Sequence, residues 1–394
     1  MHPDIKVAPD EVLATLADLI AIPSINPDLV PGAMGEASMA EYCANFMREA
    51  GLRVEVQEAA PGRPNAIGIL PGAGGGRSLM LNGHMDTVGV EGMPEPFTAR
   101  REGNHIIGRG SVDMKGSIAA MLWTAKAIAR SGVRLKGDLI ITCVADEEYV
   151  SVGTEAIARS FTADAAIVTE PTDLDLCLAH RGFMWIEIET KGRAAHGSRP
   201  NEGIDAIAHM GRVLVALEAY AQELAQRPHP PLVTPPSVHA SIIQGGGELS
   251  VYPAQCILKL ERRTVAGETQ ASVMAEIDAL LARLAAADPS FQAEARFLFS
   301  REPFDTAADE PIARTVAAAV EGVLGRPPQA IGQTFWTDAA LLQAAGIPTV
   351  LFGCTGAGLH SIHEWVDADS VVQTTQVLLA TALNWCGVSD QIAP

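Results

Sequence analysis

Basic residues are scarce in this sequence: 28 Lys and Arg stand against 47 Asp and Glu, a formal net charge of −19. A surface of that sign repels phosphate backbones and anionic headgroups, so neither nucleic acid nor an acidic membrane face is an expected partner. Much of the excess is read as solvated surface, with a few carboxylates left to hold cations. Cysteine is sparse as well. Its six positions (Cys43, Cys143, Cys177, Cys256, Cys354 and Cys386) are scattered and form no CxxC pair. Neither a zinc ribbon nor a disulfide framework is expected; reduced, buried thiols in a cytoplasmic protein are. No uncharged apolar run is long enough to span a bilayer. Met1 to Asp10 is polar and lacks the apolar core of a signal peptide, and no internal repeat is present.

What the chain does have is length and alternation. At 394 residues it is long for a single core, which predicts two domains. An apolar content of 48% with abundant Gly and Pro describes a folded globular α/β protein. In the first half, helices are predicted at Glu11–Ala21, Glu36–Ala50 and Met114–Arg130, and strands at Arg53–Gln57, Asn65–Leu70 and Ser78–Leu81. The uninterrupted apolar runs Asp138–Val144 and Ala165–Thr169 read as strands buried on both faces. This alternation predicts a mostly parallel, helix-covered sheet. The middle differs: strands at Phe183–Thr190, Val238–Gln244, Gln255–Arg263 and Glu294–Phe299, with helices at Gly203–Leu224 and Glu268–Ala287, suggest a small α+β sandwich. Arg227–Pro236 is a Pro-rich loop. Helices at Pro311–Leu324 and Asp338–Ala345 and a strand at Thr349–Phe352 return to the first style. The predicted organisation is 1–180 and 299–394 as one α/β catalytic domain, interrupted by an inserted α+β domain at 181–298.

The motif with most chemistry is Gly83-His84-Met85-Asp86-Thr87-Val88, just after a strand-like run. An i, i+2 pair at a strand end points both side chains the same way. That arrangement suits a metal ligand with a carboxylate beside it to set its tautomer, and equally a hydrogen-bonded structural His. Four further sites stand where an open α/β sheet places its ligands, beyond strand carboxyl ends. Asp113 precedes a predicted helix and reads as either an N-cap or a ligand. Asp146-Glu147-Glu148 closes a strand; burying three adjacent carboxylates without a cation costs several kcal/mol. Glu170 ends an apolar run, and His360 follows the strand at Thr349–Phe352. Two His and three carboxylates make the inventory of a two-metal site, its ions roughly 3.5–4 Å apart, with Asp113 able to bridge and a bound hydroxide as nucleophile. Nitrogen and oxygen donors without thiolate favour Zn, Co or Mn. Neighbours in an extended segment diverge, so one of Glu147 and Glu148 can ligate while the other serves as general base.

In their order along the chain these motifs resemble the co-catalytic zinc metallopeptidase family that includes acetylornithine deacetylase, succinyl-diaminopimelate desuccinylase, aminoacylase and glutamate carboxypeptidase. The resemblance runs from Ile22-Pro23-Ser24 to His360-Ser361-Ile362-His363-Glu364. It implies that His84, Asp113 (bridging), Glu148, Glu170 and His360 hold two divalent ions per chain, zinc foremost with cobalt or manganese as alternatives. It further implies Glu147 as general acid/base, Asp86 as the carboxylate orienting His84, and a cis peptide at Asp113–Met114. The inserted segment resembles the family's lid, which implies a homodimer formed through it. His196, in Gly192-Arg193-Ala194-Ala195-His196-Gly197-Ser198, matches the residue that reaches the substrate carbonyl oxygen, often from the partner subunit. Glu261-Arg262-Arg263-Thr264 matches the strand whose Arg binds the substrate carboxylate; adjacent side chains face opposite ways, and Arg263 is the expected one. Cys354 stands where Pro is common and Ser250 where Asn is common, both in segments expected near the substrate. His363 is expected to be an exposed loop residue. The implied reaction is hydrolysis of the amide of a small N-acyl amino acid, with a dipeptidase or glutamate-type carboxypeptidase as the alternative, and a non-catalytic metal-dependent binding protein behind both.

Overall fold

Leu79–His84, Leu139–Val144 and Ala165–Val168 are buried along their whole length, as strands covered on both faces of a sheet are. They lie side by side in the computed structural model, which describes residues 5–390. The first four and last four positions, ascribed above to the ends of the catalytic domain and partly to the segment read for a signal peptide, lie outside the described residues. Two compact units form: the chain up to Leu178 with Thr306–Ile331 and Thr337 onward, and Ala179–Asp305 with Gly332–Trp336. Among the described residues no helix is long and apolar enough to cross a membrane.

In the largest sheet the strands run in the order Arg53–Ala60, Arg63–Leu70, Leu139–Val144, Leu79–His84, Ala165–Val168, Thr349–Leu351, Leu176–His180. The middle four are parallel, and antiparallel pairs flank them. The strand expected to stop at Leu81 continues to His84, because Asn82, Gly83 and His84 stay in register with Thr142, Cys143 and Val144. Asn82 hides the continuation in the sequence; its amide is buried and donates to the hydroxyls of Thr142 and Thr154. Each Leu or Met buried in these strands contributes about 1.5–3 kcal/mol relative to exposure. Helix Gly116–Ser131 packs between Pro9–Ala21 and a long final helix, Ala368–Cys386, and Trp123 Nε1 donates to Thr15 Oγ1 at 2.7 Å across the first contact. No element was expected at Ala368–Cys386. That helix is exposed only along the narrow polar stripe of Asp369, Gln376 and Asn384, and the buried Thr374, Thr375 and Thr381 blur that stripe in the sequence.

A small antiparallel sheet, equally absent from the sequence reading, joins Gly356–Ala357, Trp365–Asp367, His105–Ile107 and Arg100–Glu102. Its strands are too short to show a period. It ties the segment after Thr349–Leu351 to the segment before Asp113.

The second unit is a four-stranded antiparallel sheet in the order Ser237–Gly245, Gln255–Thr264, Gly182–Lys191, Gln292–Arg301. Strict alternation in Gly182–Lys191 sends Met184, Ile186 and Ile188 into a core with Leu258, Leu260 and residues of helices Ala206–Ala225 and Gln270–Ala287. Asp205 caps the first helix by accepting from Ile207 N and Ala208 N, and Thr269 and Ser272 form a reciprocal cap on the second. The architecture is thus a helix-covered, mostly parallel α/β sheet together with an α+β unit.

Candidate metal centre

His84 ends the central strand and is buried. Its Nδ1 lies 2.9 Å from the backbone carbonyl of Asp86. A carbonyl only accepts, so Nδ1 carries the proton and Nε2 is turned toward Asp113 Oδ1, 3.0 Å away. Glu170 Oε1 lies 3.7 Å from the same Nε2. The Asp86 carboxylate is 3.6 Å from Nδ1. Its oxygens accept instead from the backbone N–H groups of Glu147 and Glu148, each at 3.1 Å, and from Asn26 Nδ2 at 2.8 Å. The backbone of Asp86 therefore sets the imidazole, and its side chain holds the next strand's carboxylate turn.

Asp113 is not an N-cap. Regular helix begins at Gly116 behind Lys115, with no side-chain cap, and Asp113 (φ −119°, ψ 86°) and Met114 (φ −134°, ψ 37°) are not helical. The peptide between them is cis. The carboxylate faces two imidazoles: Oδ1 toward His84, and Oδ2 toward His360 Nε2 at 3.3 Å. His360, at φ 60° in the loop between the short strands Gly356–Ala357 and Trp365–Asp367, also places Nε2 3.0 Å from Glu148 Oε2. Its side chain is 56% exposed, while Asp113 and Glu148 are largely buried. His84, Asp113 and Glu148 thus form one potential ligand group, and His84, Glu147 and Glu170 a second. His363 is exposed.

Burial raises the carboxyls. It is the main cause for Glu148, pushed up to about 7 with help from Asp113, and for Glu170, pushed up to about 8. Glu147 is held well above the ordinary range by burial and by the charge of Glu170. For His84 burial opposes the cation, but hydrogen bonding to Asp113 and the charges of Glu170 and Glu147 outweigh it and raise the pKa well above normal. Hydrogen bonds to Asp113 and Glu148 lift His360 to about 10. Burial acts to raise Asp113 too, yet the hydrogen bonds from His360 and His84 win and lower it. Carboxyls forced toward neutrality beside imidazoles forced toward the cation describe a site short of positive charge. Divalent cations remove that conflict, and the nitrogen and oxygen donors suit them.

Three neighbours escaped the sequence reading. Glu364 is buried and accepts from the backbone N–H groups of Gly110, Val112 and Asp113 and from Arg109 Nη1 at 2.7 Å. Its only signal was its place four residues after His360. Asp338 is buried, accepts from the Thr154 hydroxyl at 2.6 Å, and is pushed by burial to about 6. Arg63 lies behind the Asp146 turn. Cys354, in a segment expected near the substrate, is fully buried with Ser117 donating to its Sγ.

His196 and Arg263 belong to the second unit. His196 is exposed, with Nδ1 2.8 Å from Ser198 Oγ. The adjacent arginines do diverge. Arg262 is fully buried and bonds Tyr220, Glu268 and the Arg263 carbonyl. Arg263 is half-buried, 2.6 Å from Glu261 and over the ring of Phe183.

Residues 80–384 match the sequence profile of Peptidase family M20/M25/M40. The chain belongs to this family. An acetylornithine deacetylase of Myxococcus xanthus is 28% identical over 390 residues, covering 95% of this chain and 97% of the relative. An N-formyl-4-amino-5-aminomethyl-2-methylpyrimidine deformylase of Bacillus subtilis is 28% identical over 388 residues, with coverage of 90% and 91%. The fold is similar to that of the Bacillus subtilis YXEP protein, a dinuclear metal-binding peptidase of the M20 family, with a TM-score of 0.75 at 17% identity and coverage of 96% and 98%. As an M20 protein the chain is a metal-dependent hydrolase of the metallopeptidase/amidohydrolase class.

Proposed function

We propose that this M20 protein hydrolyses the amide bond of a small N-acyl amino acid, as acetylornithine deacetylase does. The observation that carries the reading is Asp113, whose two oxygens face His84 on one side and His360 on the other. Asp113 would bridge two ions completed by Glu170 and His84, and by Glu148 and His360. When bound, the ions supply Lewis acidity that polarises a carbonyl and makes a water acidic enough to attack at neutral pH. Glu147 takes the proton of that water and delivers it to the departing amine. Its raised pKa suits both halves of that transfer. Asp86 keeps the His84 tautomer fixed through its carbonyl and holds Glu147 through its carboxylate. His196 is assigned the oxyanion, as an exposed donor with Nδ1 engaged by Ser198 and the opposite nitrogen left to face substrate. Arg263 is assigned the substrate carboxylate, since Arg262 is already bound within the core.

The deacylase reading is preferred to dipeptidase or carboxypeptidase activity because the curated relatives described above, similar over nearly the whole chain, are amide deacylases. Zinc as the ion, 181–298 as a lid forming a homodimer, and a cytoplasmic setting complete the proposal. The test is an assay of zinc- and cobalt-loaded protein against N-acetyl, N-succinyl and N-formyl amino acids and dipeptides. Fastest turnover of an N-acyl amino acid supports the reading; turnover confined to dipeptides overturns it in favour of the peptidase alternative.

A further inference from the structure

Behind the carboxylate turn lies a buried charge cluster that the reaction above does not use. Arg63, in strand Arg63–Leu70, is 6% exposed. Its Nε and Nη2 donate to the two oxygens of buried Glu36 at 2.9 and 2.7 Å, and Nη2 donates also to Asp146 Oδ1 at 2.8 Å. Its Nη1 pairs with Asp28. Asn26, also buried, divides one amide nitrogen between Asp146 Oδ1 at 3.1 Å and Asp86 Oδ2 at 2.8 Å.

The cluster sits where backbone pairing runs out. The parallel strands Leu79–His84 and Leu139–Val144 are joined as far as Met85 N–H and the Val144 carbonyl. Beyond that point, side chains hold the two ends together. Asp86 accepts the N–H groups of Glu147 and Glu148, and Asn26 joins Asp86 to Asp146. Asp146 has φ 71°, a left-handed conformation uncommon outside Gly, Asn and Asp. Its second oxygen accepts from Val152 N–H at 3.2 Å. That conformation sets the direction in which Glu147 and Glu148 leave the strand. Arg63 and Asn26 are the two donors that meet on Asp146 Oδ1.

We infer that Arg63 and Asn26 are positioning residues. They lock the Asp146 turn and Asp86 against each other, so that the proton-transferring carboxylate of Glu147 and the ligand carboxylate of Glu148 diverge to separate places. The inference rests on the reading of Glu147 and Glu148 given above.

The test uses the full chain loaded with cobalt, comparing Asn26→Ala, Arg63→Lys and Glu147→Gln with the parent. Substrate is the N-acyl amino acid turned over fastest in the panel, and the visible cobalt absorption band is recorded alongside. Asn26→Ala removes no charge, and Arg63→Lys keeps the cation while losing the fork. Both are expected to bind two cobalt ions with a shifted absorption band. Their kcat is expected to fall about ten- to hundred-fold with KM changed less than about three-fold. Parent-like kcat and absorption in both variants, with only a lower melting temperature, would overturn the inference and leave the cluster a structural one. If Glu147→Gln retains parent turnover, the general-base reading itself fails. The cobalt band of Asn26→Ala would then still report whether the turn positions Glu148.

Discussion

At Asp113 one carboxylate lies between two imidazoles, with Glu147, Glu148 and Glu170 crowded around it. Glu147 is the group here whose loss should separate chemistry from binding. Glu147→Ala is expected to lower turnover about 10²–10⁴-fold while metal analysis still finds about two ions per chain; unchanged turnover would sink the mechanism. Asp113→Ala should do the reverse, losing metal as well as activity, because it removes the acceptor shared by His84 and His360. The residue types at these positions were legible in the sequence because unlike chemistries stood at successive strand ends. The partners of Asp86 were not. The sequence suggests a carboxylate bonded to His84, whereas its own carbonyl takes the imidazole and its carboxylate takes the next strand's amides.

The segment that carries Asp113 depends on an element too short to read. Strand Trp365–Asp367 pairs with His105–Ile107 and brings Glu364 under three amides of Gly110–Asp113. Glu364→Ala leaves those amides and buried Arg109 without their acceptor. It should cost about 3–5 kcal/mol in urea unfolding of the metal-free chain, the range for breaking a buried charged pair. Metal binding should weaken with it. The cap of helix Ala206–Ala225 makes a contrast. Asp205→Ala should cost about 1 kcal/mol and leave metal content unchanged, since the cap lies in the second unit. Elements with a clear period or a buried apolar run were legible from sequence. The two- and three-residue strands, and a final helix whose polar stripe is narrow and whose buried face carries threonines, were not.

Over the whole molecule, the groups of the site should make the metal-free chain lose stability as pH rises from about 4.5 to about 8, with buried Lys115, lowered to about 7, opposing them only above that value. Glu148 and Glu170 are raised above their unfolded range, so their contribution is complete below about pH 4.5 and is lost as pH climbs through about 7 and about 8. His84 and His360 are raised as well; theirs is complete below about pH 6.5 and, for His360, is lost through about 10. All four act in one direction. Asp113, lowered, opposes them only in strong acid. Divalent ions displace these protons, so the gain in melting temperature on adding zinc should grow between about pH 6 and about pH 9. Saturating metal at about 100 times its Kd should add about 2.7 kcal/mol. A gain that shrinks toward alkaline pH would contradict the pKa directions in the site. The proposed dimer is tested by sedimentation of the whole chain, with a monomer that turns over at full rate as the contrary result.

Composition, periodicity and motif order by themselves determined an acidic α/β protein with a mostly parallel central sheet, and named which His, Asp and Glu were candidates for chemistry. They could do so because a buried parallel strand must be apolar, and polar residues at its end therefore stand out. The tertiary structure decided what the local pattern leaves free. It set which oxygen of Asp113 faces which imidazole, that Asp113 is released from capping, and that Arg63, Asn26 and Glu364 brace the loops from far away in sequence. Those contacts join residues 60 to 255 positions apart, and no local propensity records them.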